Sequence, residues 1–185
     1  LGDARREARL LQIAAGAERR PAGTITATFR GSAQREAAFR FVENDAVDVT
    51  ALGEASYGAT AHRSRTERVI IVAVDGCSLS LPDPTGARGF GPVGSYHRMV
   101  KGVQVMNSLA VTRDGCPLGL LDQQWWVRKE TPVGERVERR CKTRSNDDPR
   151  PLEARESYAW VRALRAGVRR MREHAPGCTP WYQLD

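Results

Sequence analysis

Two carboxylates in this chain follow runs of strand-forming residues. Residues 69–74, VIIVAV, are apolar and mostly β-branched and lead straight into Asp75 and Gly76. At the far end, TPWYQLD closes on Asp185. Acids delivered by neighbouring strands can converge at one edge of a sheet. Carboxylates are hard oxygen ligands and favour Mg2+ or Mn2+ over softer metals. Two such ions, about 3.5–4 Å apart, can activate a water or a 3′-hydroxyl and stabilise the leaving oxygen. A plainer reading stands beside this one. Asp before Gly is common in turns, and an Asp at a chain end is commonly just solvated.

Other chemistries have less to offer. Cys77, Cys116, Cys141 and Cys178 are widely separated, and His62, His97 and His174 do not flank them at metal-ligand spacing. Reduced structural thiols in a cytoplasmic, nucleoid-associated protein are the expectation. No Ser-His-Asp or Cys-His set stands out. There is no phosphate-cradling glycine loop, because GARGFGPVG lies between strands and opens no helix. No apolar run approaches the roughly 20 residues of a bilayer span, and no signal peptide is read, so no membrane partner is expected.

The charge balance is more informative. The 185 residues carry a net charge of +7, and the isoelectric point is about 9.7. A basic chain of this kind suits a polyanion, most often nucleic acid. Only Lys101, Lys129 and Lys142 are lysines; the remaining positive charge is arginine, whose planar fork fits phosphate and base edges. A GC-rich coding sequence produces the same bias. With 41% hydrophobic and 28% charged residues, a packed core is feasible.

The elements that must position these groups follow from periodicity. Residues 1–50 read as a small helical domain. In DARREARLLQIAAGAERR, Leu10, Ile13, Ala14 and Ala17 share one helical face, Asp3 is placed to cap, and Pro21 stops the helix. GTITATFRG is short and β-prone. SAQREAAFRFVEN returns to helix, with Ser32 as cap and Ala37, Ala38, Phe41 and Val42 as its buried side. From Leu1 to Arg40 there are eight arginines against four acids. Residues 51–68 read as a connecting helix and basic loop.

Residues 69–185 form the β-rich part. A first strand spans 69–74, a turn-dense loop follows, and 101–112 alternate as a second strand. Asp114-Gly115 marks a two-residue hairpin into a third strand, PLGLLDQQWWVR. In that strand, adjacent Trp125 and Trp126 face opposite sides, so one of them should be core. Residues 129–151 are charged and poor in apolar anchors, which suggests a mobile insertion. Residues 152–174 form a helix with Tyr158, Val161, Leu164, Val168 and Met171 on its apolar stripe, and Arg162, Arg165, Arg169, Arg170 and Arg172 toward solvent. A last strand runs to Asp185. The expected class is α/β (α+β): a helical N-terminal domain, then a partial ribonuclease-H-like mixed sheet with flanking helices. In such a sheet the first and fourth strands are parallel neighbours.

Several stretches, in order, resemble a known family. LGDARREARLLQIAA, GTITATFRGSAQREAAFRFVEN, VDGCSLSL, GCPLGLLDQQWWVR, ESYAWV and WYQLD are similar to segments of the DDE cut-and-paste transposases of the transposon-five-like, insertion-sequence-four group. The resemblance implies a transposon-end DNA-binding domain followed by the first part of a ribonuclease-H-like catalytic domain. It implies that Asp75 and Asp185 are the first two metal-binding acids, with Mg2+ or Mn2+ as cofactor. It implies that Arg9, Arg19, Arg20, Thr26 and Arg40 touch duplex DNA; a solvated helix face is the alternative for each arginine. In the full-length enzyme it implies a homodimer acting on transposon ends and target DNA. Gly76 and Cys77 replace the family's usual Thr pair, and Asn107 stands where many relatives have His. The third acid of the triad lies beyond Asp185 in the family. The expectation is therefore a fragment that does not transpose by itself, or alternatively a non-catalytic DNA-binding remnant or inhibitor of transposition.

Overall fold

A computed structural model describes residues 2–94, 100–129 and 150–184. The chain divides into two compact units, Leu1–Glu54 and Ala55–Asp185.

In unit 1, helix α1 spans Ala4–Arg19. Asp3 caps it: its carboxylate accepts the amide hydrogens of Arg5 at 2.8 Å and Arg6 at 3.2 Å. These bonds, together with the charges of Arg5 and Arg6, hold that carboxyl below its ordinary value. The expected apolar face is only partly used. Leu10 and Ile13 are half-buried, whereas Ala14 and Ala17 are exposed. The buried residue of α1 is Gly16, against the ring of Phe29.

The β-prone GTITATFRG is not a strand. Ile25–Thr28 is a single helical turn, α2, because the Thr24 hydroxyl accepts the Ala27 amide at 3.1 Å and closes the turn. Helix α3 spans Ser32–Val42, with Gly31 rather than Ser32 at the cap position. It buries Ala38 and Phe41; Ala37 is half-buried, and Val42 is exposed. Helix α4 follows at Val49–Ser64, and the division between the units falls within it.

Unit 2 is built on one mixed sheet. Its strands are β1 Val69–Ser80, β2 Gly91–Pro92, β3 Lys101–Thr112, β4 Pro117–Trp126 and β5 Thr179–Leu184. β3 is central to the hairpin side. It pairs antiparallel with β1, β2 and β4. β5 pairs parallel with β1, from Val69↔Thr179 to Val74↔Leu184. This is the mixed α/β class expected from the sequence.

β1 is longer than the apolar run predicts. Pairing with β3 continues from Ile70↔Thr112 to Ser80↔Gly102, so Asp75 sits in mid-strand and not at a strand end. The β3–β4 connection is also longer than a two-residue hairpin. The Thr112 amide donates to the Cys116 carbonyl at 2.9 Å, the Thr112 hydroxyl accepts the Cys116 amide at 3.0 Å, and Gly115 takes φ of +86°. The Asp-Gly pair thus lies inside a four-residue loop.

After a 3-10 turn at Leu152–Ala154, helix α5 spans Tyr158–His174. Its buried residues are Ala159, Ala163, Gly167, Arg170 and Met171. The face is rotated from the expected stripe: Val161, Leu164 and Val168 are half-buried flanks. Small residues form the contact line because the helix lies close to the strands. A Cβ at Gly167 would stand 2.8 Å from the Tyr182 hydroxyl. Ile70, Val72 and Val74 of β1, with Ala110 and Leu121, meet Ala159, Ala163 and Met171 in the core. The charged 129–151 stretch lies outside the described residues except at its ends. Among the described residues no helix is long and apolar enough to cross a membrane.

Candidate nucleic-acid interface and candidate catalytic acid

The Gly16–Phe29 contact organises the basic side of unit 1. A Cβ on Gly16 would come within 2.5 Å of the Phe29 ring, so the absence of a side chain lets the α2–α3 connection lie against α1. Arg35 holds that connection from below, donating to the carbonyls of Phe29 at 3.3 Å and Arg30 at 2.9 Å. A groove of about 600 Å³ results, lined by Arg9, Gln12, Arg19, Arg20, Arg30 and Gln34 around an apolar floor that includes Ile13 and Phe29. Arg19 is exposed, and its Nε donates to the Ala15 carbonyl at 3.1 Å. A second groove of about 480 Å³ is lined by Arg5, Arg6, Arg9, Glu36, Arg40 and Asn44. Arg9 borders both.

The structure therefore gathers Arg9, Arg19 and Arg20 at one groove and puts Arg40 at the other. Arg40 is exposed and ion-paired with Glu36 one turn earlier. Thr26 is exposed on α2 and lines neither groove. Gln12, Arg30 and Gln34 are additional groove residues that periodicity did not single out. Their signal was present in the sequence as Phe29, an aromatic residue in a short polar connection with only a glycine on α1 to receive it.

Several guanidinium groups converging on a concave, water-exposed surface suit phosphates, which accept bidentate, charge-assisted hydrogen bonds. The amides of Gln12 and Gln34 can both donate and accept, as base edges require.

Residues 1–47 match the transposase DNA-binding family. The match covers the stretch that carries both grooves, and it supports DNA as the partner of unit 1 and a transposase as the kind of protein.

In unit 2 the period of two along β1 separates core from site. Ile70, Val72 and Val74 point into the core; Ala73, Asp75 and Cys77 lie on the opposite, exposed face. Asp75 is opposite Asn107 of β3, and Asn107 is opposite Gln123 of β4. A polar row thus crosses three strands. The Trp125 indole N–H donates to Gln123 Oε1 at 3.0 Å, and Gln123 Nε2 donates to Asn107 Oδ1 at 2.7 Å. Asp75 Oδ1 accepts the Gly76 amide at 2.7 Å.

Asp185 lies outside the described residues. The β1–β5 register runs to Val74↔Leu184, the residues that immediately precede Asp75 and Asp185 in sequence. Among the described residues no three His, Cys, Asp or Glu side chains gather as a metal site. Asp75 is a suitable hard ligand, but the described residues alone do not complete a ligand set for Mg2+ or Mn2+.

The remaining candidates divide cleanly. Trp126 packs on the core and donates to Glu156 at 3.0 Å, while Trp125 is exposed. Cys77 and Cys116 are exposed free thiols and Cys178 a buried one. Burial pushes the Cys178 thiol up, and the nearby Glu67 charge adds to that. Arg170 is the clear departure from the expected solvent face of α5. It is 3% exposed, bonded to the Leu121 carbonyl at 2.7 Å and to Asp122 at 2.8 Å, with its guanidinium 4.8 Å from the centre of the Tyr57 ring. Asp122, on the inner face of β4, supplies the charge that makes burial of this arginine tolerable. His97 and Cys141 lie outside the described residues.

Proposed function

We propose that the chain carries the end-binding unit, and the first part of a ribonuclease-H-like catalytic unit, of a DDE cut-and-paste transposase of the insertion-sequence-four group. The observation that carries this reading is the transposase DNA-binding match over residues 1–47, on a unit whose grooves are bordered by Arg9, Arg19, Arg20 and Arg40. In this reading Arg9, Arg19 and Arg20 grip phosphates of duplex DNA at the transposon ends, and Arg40 and Thr26 make flanking contacts. The exposed amides of Gln12 and Gln34 are positioned for base edges.

For unit 2 the support is topological. β1 and β5 are parallel neighbours, and their register ends at Val74↔Leu184, the residues that precede Asp75 and Asp185 in sequence. Asp75 and Asp185 are then ligands for Mg2+ or Mn2+, which when bound would supply Lewis-acid chemistry for phosphoryl transfer. The part this chain's own residues play is narrower. Asp75 is held on an open sheet face, its Oδ1 fixed by the Gly76 amide, next to the amide row of Asn107 and Gln123. The active assembly is a homodimer on paired ends.

Two measurements test the reading. Duplex DNA should bind at low salt and release as salt rises. Mn2+ should bind, detected by electron paramagnetic resonance, and Asp75→Ala should abolish that binding. Salt-dependent DNA binding without Asp75-dependent Mn2+ binding would leave a non-catalytic DNA-binding protein, an inhibitor of transposition or a remnant. Absence of DNA binding would refute the function.

A further inference from the structure

The open face of the sheet carries a row of hydrogen bonds that ends beside Asp75, and backbone pairing fixes its spacing. The Leu81 amide donates to the Lys101 carbonyl at 3.0 Å, and the β1–β3 register runs without a shift from there through Asp75↔Asn107. Hydrogen-bonded pairs alternate along such a ladder, so Asp75 and Asn107 form one, with Cα atoms about 5.5 Å apart. The peptide groups of Asn107 then face β1. Across β4, Asn107↔Gln123 is therefore a non-hydrogen-bonded pair, with Cα atoms about 4.5 Å apart and side chains closer. Asn107 lies within side-chain reach of both Asp75 and Gln123.

The row has a direction, and Trp125 sets it. An indole N–H can only donate, so it selects the oxygen of the Gln123 amide, at 3.0 Å. The Gln123 nitrogen is left to donate to Asn107 Oδ1 at 2.7 Å. The amide N–H groups of Asn107 are then the free end of the row. Turning both amides over would set Gln123 N–H groups against the indole N–H, two donors with no acceptor between them. Trp125 is exposed, so its place in the row is not a by-product of core packing. On its own strand Asp75 is already tethered, with Oδ1 accepting the Gly76 amide at 2.7 Å.

We propose that Asn107 is a positioning residue for Asp75, and that Trp125, two links away, keeps it in that role. Asn107 serves as a donor beside the carboxylate and not as an oxygen ligand. Donors on two sides, from Gly76 and Asn107, hold the carboxylate in one orientation before a hard cation arrives, as hydrogen bonds to a ligating carboxylate do. An amide turned the other way would set its oxygen against the carboxylate and loosen it. The proposal rests on the reading of Asp75 as a ligand for Mg2+ or Mn2+ and adds the residues that orient that ligand.

The test uses the whole 185-residue chain, with Mn2+ as the probe and affinity read by electron paramagnetic resonance. Asn107→Ala should weaken binding roughly 10- to 100-fold, the cost of losing a group that orients a metal ligand. Trp125→Phe keeps an aromatic ring but removes the N–H, and should weaken binding in the same direction by less. Nuclear magnetic resonance of the metal-free chain gives a readout that needs no cation. Trp125→Phe should move the side-chain amide signals of Gln123 and Asn107 while the backbone signals of β1 and β3 stay in place, which separates lost orientation from lost folding. Wild-type Mn2+ affinity in either Asn107→Ala or Trp125→Phe overturns the proposal. Affinity lost in Asn107→Ala but raised in Trp125→Phe would make Asn107 a ligand through its oxygen, and overturns it too. If wild type binds no Mn2+, the reading of Asp75 as a metal ligand fails and this proposal fails with it. If binding is lost in Asp75→Ala but is indifferent to Asn107 and Trp125, this proposal fails alone.

Discussion

Unit 1 and unit 2 are both arginine-rich, but they use arginine differently because their cores differ. Unit 1 buries Gly16, Ala38, Phe41 and Val47 and little else. Its helices are joined by a glycine–phenylalanine contact, and its arginines surround grooves. Unit 2 has a continuous core from β1, β3, β4, α4 and α5. That core is thick enough to enclose a charged pair, Arg170 with Asp122, at 3% and 7% side-chain exposure. A small domain has too little interior to hide a charge, so it displays its arginines. A sheet domain can bury one and sort the rest to its outer face. Arginine count alone is therefore a poor guide to DNA contact; the packing behind each arginine decides.

The comparison breaks most visibly at the buried pair. Asp122→Ala should cost unit 2 about 3–5 kcal/mol, because it strands the Arg170 charge in the core. Replacing both partners, Asp122→Leu with Arg170→Met, should cost much less. Denaturant unfolding of the single and double variants checks this. A single variant as stable as wild type would mean that the pair is not a buried element of the core.

In unit 1 the corresponding weak point is steric. Gly16→Val should push Phe29 out of its seat, at a cost of about 1–3 kcal/mol. The groove bordered by Arg19, Arg30 and Gln34 should open with it, so DNA affinity should fall alongside stability. Stability lost without affinity would show that the groove is not the contact surface.

pH separates the units more gently. Burial raises the Tyr182 hydroxyl to about 12. An unfolded tyrosine ionises near 10 while the folded one stays neutral, so the stability this residue contributes is complete below pH 10 and is lost between pH 10 and 12. Tyr182→Phe should remove that loss, measured as unfolding midpoints across the window. The sign is opposite for Asp3 in unit 1. Its carboxyl is held low, so the stability of α1 is present above the ordinary carboxylate value and falls as pH drops through the lowered one. Helical circular dichroism in acid should fall earlier for wild type than the core of unit 2 unfolds.

Asp75→Asn is the smallest stability change, within about 0.5 kcal/mol, since the side chain is exposed. A near-neutral effect on folding is what a functional carboxylate on an open face predicts.

Much of this was legible in the sequence. The Asp3 cap, β3, β4 and the span of β5 up to Leu184 follow from local rules, because each depends on nearby residues. So did the parallel placement of the first and last strands, through the order of elements. Most of what could not be read depended on partners far along the chain, and one feature on a local bond that competes with strand propensity. β1 extends past Asp75 because β3 pairs with it as far as Gly102. GTITATFRG turns helical because Thr24 caps it, a local bond that competes with strand propensity and wins in so short a segment. The α5 face is set by Gly167 fitting Tyr182 and by Arg170 finding Asp122, 48 residues away. The basic groove of unit 1 shares that character: Arg9 and Arg19 stood out by type, whereas Arg30 and Gln34 joined them only through the seat of Phe29 on Gly16.

The most direct test of the account is a salt series on duplex binding by wild type and by the variant with Arg9→Ala, Arg19→Ala and Arg20→Ala. Wild type should bind with a steep negative dependence on salt. The variant should bind more weakly at every salt concentration, with a slope shallower by up to about 2.7, at roughly 0.9 for each phosphate contact removed. Equal slopes and equal affinities for the two proteins would contradict a DNA-gripping role for the unit 1 groove.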